Sequence, residues 1–267
     1  MRPSFSFFCS EGGKKTMLEF KNITLKIGRK TILDSANLSA KKGRITALIG
    51  KNGSGKTSLI TTACGLSHYD GEILLCGKNI QEYKNKDRAK IISFLPQMMP
   101  ETSISVYSLV SMGRSPHLGG MGILSKTDKE AILSALRITR TEELSERSIS
   151  SLSGGEKRRA FLALLLAQEA PLLILDEPNA YLDISYSSEL CTLLRELCDD
   201  HKKTILVIMH DISEATEIAD DIAILDGGKT VFYGAKNELL ATETIENIFS
   251  VKRYKAYDGD KTKIFFS

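Results

Sequence analysis

The stretch that decides the fold is Gly50-Lys51-Asn52-Gly53-Ser54-Gly55-Lys56-Thr57, a complete match to the pattern G-x-x-x-x-G-K-[ST]. The apolar run 44–49 precedes it and a helical pattern, 58–63, follows it, which is the strand–loop–helix context this pattern needs. Glycines let successive backbone N–H groups turn toward phosphate oxygens, because side chains would block close approach. In such a loop Lys56 reaches the outer phosphates and the Thr57 hydroxyl ligates Mg²⁺. The alternative is a chance glycine-rich turn, and the flanking strand and helix argue against it.

A strand with two carboxylates at its end lies later in the chain, at Leu172-Leu173-Ile174-Leu175-Asp176-Glu177-Pro178. Its four apolar residues predict a strand that is buried on both faces. Asp176 can hold Mg²⁺, which prefers oxygen ligands, and Glu177 is placed to orient or deprotonate an attacking water. Two acids after a strand also form ordinary solvated turns, but the intact phosphate loop favours the catalytic interpretation.

A third motif, Leu152-Ser153-Gly154-Gly155-Glu156 (the LSGGE segment), opens an apolar helix. A serine and two glycines at a helix start offer N–H groups, a hydroxyl and close approach, which suits a phosphate. Taken alone, the segment is better explained as an N-capped helix after a glycine turn. The basic residues 157–159 that follow are expected to be solvated or to face a partner.

Length, composition and charge limit the number of domains and the kinds of partner that this chain can have. The chain has 267 residues, 42% hydrophobic and 26% charged, which suits one globular domain or one with a subdomain. A net charge of +3 is too slight to indicate nucleic acid or a membrane surface as a partner. No apolar run approaches the roughly 18–20 residues that a membrane-spanning helix needs. The five cysteines form no C-x-x-C pair, so neither a disulfide framework nor a zinc site is expected.

The order of strand and helix signals predicts the architecture. Residues 17–49 have strand character, helical periodicity dominates from about 100 to 168, and strands return at 172–175. This order indicates an α/β nucleotide-binding core with an antiparallel β region at the front and a helical insertion. Met1–Thr16 lacks the long apolar region of a signal peptide, and we expect it to be a disordered or non-native extension of a domain covering 17–267.

These motifs, in this order and spacing, resemble the ATPase subunit of ABC transporters over about residues 17–233. Gln97 matches the glutamine that ends a strand in that family, and His210 matches the histidine that follows a later strand. Asp183 ends a matching loop after Glu177. Each residue alone has an ordinary explanation: a polar strand end, a neighbour of the capping residue Asp211, and a helix N-cap.

The resemblance implies an α/β P-loop NTPase (RecA-like) core with an antiparallel β subdomain and a helical insertion subdomain. It implies ATP and Mg²⁺ as ligands and a homodimer whose subunits pair head to tail around two ATP molecules. The implied catalytic residues are Lys56, Gln97, Glu177 and His210, and the implied metal ligands are Thr57, Gln97 and Asp176. The implied ATP contacts are Gly50, Lys51, Asn52, Gly53, Ser54, Gly55, Lys56, Thr57, Ser58, Ser153, Gly154, Gly155 and Asp183.

A further segment, 111–117, resembles the Gly-Arg-x-Pro-His sequence of importers for iron siderophores, haem and cobalamin. Gly113 and Pro116 could instead simply end the preceding helix. This subgroup implies an ATPase bound peripherally to the cytoplasmic face of the membrane. Its partners would be integral-membrane permease subunits and, indirectly, an extracytoplasmic substrate-binding protein, with no nucleic acid. The alternatives are the ATPase of another ABC transporter type and a non-transport ABC ATPase in DNA repair or on ribosomes.

Three positions depart from the family pattern. Ile27 stands where an aromatic side chain usually stacks on adenine, so only apolar contact with the base is expected. Glu156 replaces the commoner glutamine and is expected to keep the phosphate contacts. Asn179 replaces a threonine, which we expect to be tolerated.

Overall fold

The computed structural model describes residues 15–65, 67–119, 122–180, 184–258 and 261–267. Most of the predicted N-terminal extension, residues 1–14, therefore lies outside the described residues, as do residues 181–183, and the first strand begins at Thr16. The strands are β1 (Thr16–Ile27), β2 (Lys30–Lys41), β3 (Ile45–Ile49), β4 (Asp70–Leu75), β5 (Lys78–Asn79), β6 (Ile92–Leu95), β7 (Leu172–Asp176), β8 (Thr204–Ile208), β9 (Asp221–Asp226), β10 (Lys229–Ala235), β11 (Arg253–Asp258) and β12 (Lys261–Phe266).

Helices are interspersed among these strands, which confirms the predicted α/β class. They are α1 (Lys56–Ala63), α2 (Asn85–Ala89), α3 (Val106–Met112), α4 (Lys126–Ile138), α5 (Gly154–Ala167), α6 (Ile184–Asp199), α7 (Ile212–Ile218), α8 (Lys236–Leu240) and α9 (Thr244–Phe249). None of the helices in the described part of the chain is both long and apolar enough to cross a bilayer.

The chain divides into two compact units. The first comprises Met1–Glu82 and Leu194–Ser267, and the second comprises Tyr83–Leu193. The helical insertion predicted at about 100–168 falls within the second unit, and its exact limits stay a prediction.

The first unit contains an antiparallel sheet of order β2-β1-β4-β5, as the sequence predicted for its front part. Phe20 of β1 is paired with Leu38 on one side and with Ile73 on the other. The unit also contains β3 between β8 and β9, both parallel to it, with β10 antiparallel at the outer edge of β9. All five residues of β3 are buried, as expected of a parallel strand that is covered on both faces.

The second unit pairs β6 with β7 in parallel, with Leu95 opposite Leu175. Helices α3, α4 and α5 pack against one another beside these strands. The Ser93 hydroxyl of β6 donates a hydrogen bond to the Leu165 carbonyl of α5 (3.2 Å), which fixes this helix on the strand.

Two features were not expected from the sequence. The C-terminal hairpin β11–β12 lies beyond the last strand that the sequence predicts, at 229–233. The Phe266 N–H of β12 donates to the Ser213 hydroxyl in the first turn of α7 (3.2 Å). Cys64, Cys191 and Cys198 carry free thiols, whereas Cys76 is disulfide-bonded; the cysteine spacing argued only against a disulfide framework and did not predict this single bond. The spacing of cysteines in the sequence identifies pairs that are close along the chain, whereas a disulfide requires that two cysteines be close in space.

Candidate functional site

The phosphate loop, Gly50–Thr57, leads from β3 into α1 and is closely packed. Gly53 and Gly55 adopt φ angles of +77° and +101°, in the left-handed region that favours glycine. A Cβ atom on Gly50 would lie 2.2 Å from the Leu225 carbonyl oxygen, and one on Gly55 would lie 2.8 Å from Leu33 Cδ2. Glycine at these positions is therefore required by the packing of the loop itself.

The loop fits a phosphate group on three observations. Lys56 is only 6% exposed, and its Nζ donates to the carbonyl oxygens of Gly50 (2.8 Å) and Lys51 (3.2 Å), which places a buried positive charge inside the loop. The Ser54 Oγ is buried and has no hydrogen-bond partner among the described residues. Gly55 is the N-cap of α1, and no side chain in the described ranges caps this helix. A buried cation and an uncapped helix start together form a site for an anion.

His210 follows β8, which is paired in parallel with β3 so that Leu48 lies opposite Ile208. The Met209 N–H donates to the Leu48 carbonyl (3.3 Å), so this pairing continues to the residue before the histidine. Because both strands end at the same edge of the sheet, exposed His210 lies beside the start of the phosphate loop. Asp211 caps α7 by accepting from the Glu214 N–H (2.9 Å), as the sequence suggested.

In the second unit the structure brings Gln97 and Glu177 together. Gln97 follows β6 and Glu177 follows β7, and the Gln97 Nε2 donates to the Glu177 Oε2 at 2.7 Å. Asp176, the last residue of β7, is 1% exposed. Glu177 has a φ of +45°, an uncommon conformation for a side chain of this size, which turns the backbone sharply after the strand. Parallel strand ends thus place an amide and a carboxylate in direct contact.

The LSGGE segment starts α5 with a capping box. Ser153 is the N-cap; its N–H and its hydroxyl both donate to the Glu156 Oε2, each at 2.8 Å. These bonds, first that from the backbone N–H, hold the pKa of Glu156 below its usual value. The prediction that Glu156 would leave the phosphate contacts intact stays untested, and here its carboxylate already occupies both Ser153 donors.

The two glycines of this segment differ in their surroundings. Gly154 is exposed, and a Cβ there would meet no described heavy atom within 4 Å. Gly155 is buried, and a Cβ there would lie 2.8 Å from the ring of Tyr186. Gly155 is thus required by contact with α6, whereas Gly154 leaves its face open for another molecule.

One residue at this site escaped the sequence analysis. The basic residues after the LSGGE segment were expected to be solvated or to face a partner, yet Arg158 is only 8% exposed and Arg159 lies over the Tyr186 ring at 4.9 Å. The helical spacing could have predicted this burial, because Arg158 precedes buried Phe161, Leu162 and Leu165 by three, four and seven residues. It therefore lies on the buried face of α5.

The segment 111–117 has a structural role in the second unit. Helix α3 ends at Met112, and a Cβ on Gly113 would lie 2.3 Å from the Leu164 carbonyl oxygen of α5. Arg114 is 1% exposed and forms ion pairs with Asp128 (3.0 Å) and Glu169 (2.7 Å). This segment therefore joins α3 to α4 and to the end of α5.

Three features of the sequence analysis remain to be placed. Asp183 lies outside the described residues. In the described ranges no group of three or more His, Cys, Asp and Glu side chains is arranged to hold a metal ion. A Mg²⁺ ion would therefore need a hydroxyl, an amide or phosphate oxygens in addition to Asp176, which is the type of ligand set that Mg²⁺ prefers. Ile27, which stands where the family usually has an aromatic residue, is 63% exposed at the end of β1.

Comparison with known proteins agrees with these motifs. The ABC transporter family model matches residues 33–180. The chain is 37% identical over 188 residues to the petrobactin import ATP-binding protein FpuC of Bacillus anthracis, a match covering 70% of this chain and 69% of that protein. It is also 37% identical over 183 residues to the ferric enterobactin transport ATP-binding protein FepC of Escherichia coli, covering 68% of each.

Solved structures share the fold. A metal-chelate type ABC transporter in an inward-facing conformation superposes with a TM-score of 0.82 at 24% identity, covering 94% of this chain and 97% of that one. The protein cbiO1 from Clostridium perfringens superposes with a TM-score of 0.75 at 28% identity, covering 88% and 94%. The family match spans more than half of the chain and includes the phosphate loop, the LSGGE segment and the carboxylates after β7. The chain therefore belongs to the ABC transporter family, as one of its ATPase subunits.

Proposed function

We propose that this chain hydrolyses ATP to energise the import of a ferric siderophore. The observation that carries the hydrolytic part is the direct contact between Gln97 and Glu177 at the end of two parallel strands. The cargo is inferred from the relatives, because FpuC is a petrobactin import protein and FepC a ferric enterobactin transport protein. Haem and cobalamin remain the alternative cargoes of the same transporter group.

In this proposal the phosphate loop binds the triphosphate of ATP. The buried Lys56 ammonium exchanges its carbonyl partners for phosphate oxygens, and the first turn of α1 supplies N–H groups. The remaining loop residues and Ser58 surround the phosphates with backbone donors. Exposed Ile27 offers apolar contact to the base.

Glu177 is the proposed general base. Its carboxylate orients the attacking water and accepts a proton from it, while the Gln97 amide holds that carboxylate in place. His210 is proposed to contact the outer phosphate from the end of β8. Mg²⁺, when bound by Thr57, Asp176 and Gln97, would neutralise charge on the phosphate oxygens.

The LSGGE segment suggests that the complete site needs a second copy of the chain. We propose a head-to-tail homodimer in which Ser153, Gly154 and Gly155 of one copy face the phosphate loop of the other, and Asp183 stays a predicted ATP contact. The open face of Gly154 supports this assignment, since it offers a backbone surface with no described neighbour. The dimer would bind permease subunits at the cytoplasmic face of the membrane and would act indirectly with an extracytoplasmic substrate-binding protein.

Substitution Glu177→Gln tests the hydrolytic assignment. The amide of the new side chain can still accept from Gln97 but cannot take up a proton, so we expect kcat to fall roughly 100- to 10,000-fold with ATP binding retained. ATP turnover and equilibrium ATP binding measure the two effects. The matched control is Glu142→Gln, which makes the same replacement at an exposed residue in the turn after α4. Near-normal turnover in Glu177→Gln would remove Glu177 from this role.

Transport experiments test the cargo and the partners. Purification from native membranes should recover a polytopic permease with this chain, whereas recovery of ribosomes or DNA would indicate a non-transport ABC ATPase. The reconstituted complex should then take up a ferric siderophore in an ATP-dependent way. Uptake of haem or cobalamin in preference to ferric siderophores would reassign the cargo.

A further inference from the structure

Arg158 is buried at the second turn of α5 and bonds to two backbone carbonyls. Its Nη2 donates to the Ala180 carbonyl at 3.1 Å, and its Nη1 donates to the Gln97 carbonyl at 3.4 Å. The two acceptors are far apart in sequence and lie on separate loops. One guanidinium group therefore connects α5, the segment after β6 and the segment after β7.

Both carbonyls belong to residues that contact Glu177. Gln97 donates through its side chain to the Glu177 carboxylate, and the Ala180 N–H donates to the Glu177 carbonyl (3.1 Å). Arg158 thus holds the backbone of two residues, Gln97 and Ala180, that each form a hydrogen bond with the proposed general base. A guanidinium is a planar, rigid fork, so two acceptors bound to it are held at a fixed separation.

The charge of Arg158 sets it apart from its neighbours in α5. Lys157 pairs with Glu101 (2.9 Å) and Arg159 pairs with Glu189 (3.6 Å), whereas Arg158 forms no ion pair with a carboxylate in the part of the chain that is described. Burial lowers the pKa of Arg158 below its usual value. Burying a cation that only carbonyl groups balance is unfavourable, and a well-packed apolar side chain would avoid this cost.

We infer that Arg158 is a positioning residue for ATP hydrolysis. Its fork fixes the backbone of Gln97 and Ala180, and through them it holds the Gln97 amide on Glu177. Because Arg158 lies in the same helix start as Ser153–Gly155, a movement of the LSGGE segment is transmitted to the Glu177 carboxylate. This inference rests on the proposed role of Glu177.

Substitutions at Arg158 in the full-length chain test this role. Arg158→Met fills similar space without donors, and Arg158→Lys keeps the charge but not the fork. We expect Arg158→Met to lower kcat per ATP-binding site about 10- to 100-fold, because a small misplacement of a catalytic group has effects of this size. The dissociation constant of ATP should change less than about threefold, since the phosphate loop is untouched. Arg158→Lys should recover part of the rate, because its ammonium can still reach one carbonyl.

The control is Arg137→Met, which makes the same replacement at an exposed position of α4. All rates are measured well below the midpoint of thermal unfolding and divided by the number of ATP sites, so that a loss of folded protein does not count as a loss of rate. A wild-type kcat in Arg158→Met, or an equal kcat in Arg158→Met and Arg158→Lys, would overturn the inference. If Arg158→Met does not fold, a wild-type kcat in Arg158→Lys overturns it and a reduced kcat supports it.

Glu177→Gln is measured in parallel to separate the two proposals. Normal turnover in Glu177→Gln defeats the proposed function, whatever Arg158 does. A large loss in Glu177→Gln together with a wild-type rate in Arg158→Met defeats only the positioning role.

Discussion

The molecule contains two glycine-rich helix starts, at α1 and at α5, that look alike in sequence and differ in structure. The start of α1 has Gly55 as its N-cap and, within the described residues, no side-chain cap, and buried Lys56 lies against the loop carbonyls. The start of α5 is exposed and is capped by its own residues, Ser153 and Glu156. The start of α1 is prepared for an external anion, whereas at the start of α5 the Ser153 donors and the Glu156 N–H already have partners within the chain.

This difference explains why the phosphate loop predicts a bound phosphate more strongly than the LSGGE segment does. An uncapped helix start beside a buried lysine needs an anion to complete it, so the phosphate loop indicates its ligand without reference to other residues. A helix start with a capping box is stable by itself. The LSGGE segment therefore depends on a second molecule for any role beyond that of a helix cap. Substitutions at the start of α1 and at the start of α5 both test this difference.

Among the tests of this comparison, the largest expected effect comes from removing the buried cation of the phosphate loop. Lys56→Ala should weaken ATP binding about 100-fold, or about 3 kcal/mol, because the charge-assisted contacts to the phosphates are lost. Equilibrium ATP binding measures the effect, with Lys129→Ala at an exposed position of α4 as the control. ATP binding at wild-type strength in Lys56→Ala would mean that the nucleotide does not use this loop.

A paired substitution compares the glycines of the two helix starts. Gly55→Ala would force a positive φ on alanine and place its Cβ 3.0 Å from the Ile32 carbonyl oxygen, so the free energy of unfolding should fall by about 1–3 kcal/mol. Gly154→Ala lies in open space at the first residue of α5, where alanine favours the helix by up to about 1 kcal/mol. Chemical denaturation of both variants gives the comparison, and equal destabilisation would contradict it.

The smallest expected effect concerns the charge at the start of α5. Glu156→Gln removes a negative charge that would lie near the phosphates of the partner's ATP, while its amide oxygen can still accept from Ser153. We expect ATP-dependent dimer formation to strengthen by roughly 0.3–1 kcal/mol, the usual size of a charge effect at a helix N-terminus. Sedimentation with and without ATP measures it at low salt. A weaker dimer in Glu156→Gln would show that the carboxylate itself contributes to the contact.

Much of the fold was predictable because its signals are local. The apolar runs at 44–49 and 172–175 predicted buried strands, and the structure confirms both as β3 and β7. The apolar periodicity predicts helices over 127–138 and 155–168, and α4 and α5 begin and end within one residue of these limits. The short helices α8 and α9 were missed, since five or six residues are too few to establish a period and depend on tertiary packing.

The sequence by itself determined the α/β class, the phosphate loop and the two strand ends that carry Gln97 and Glu177, because each follows from a continuous local pattern. Only the tertiary structure decided the partners of the side chains. The bond from Gln97 to Glu177 joins residues 80 positions apart, and that from Arg158 to the Gln97 carbonyl spans 61. Contacts over such distances depend on how strands and helices pack, which periodicity and motif spacing do not encode.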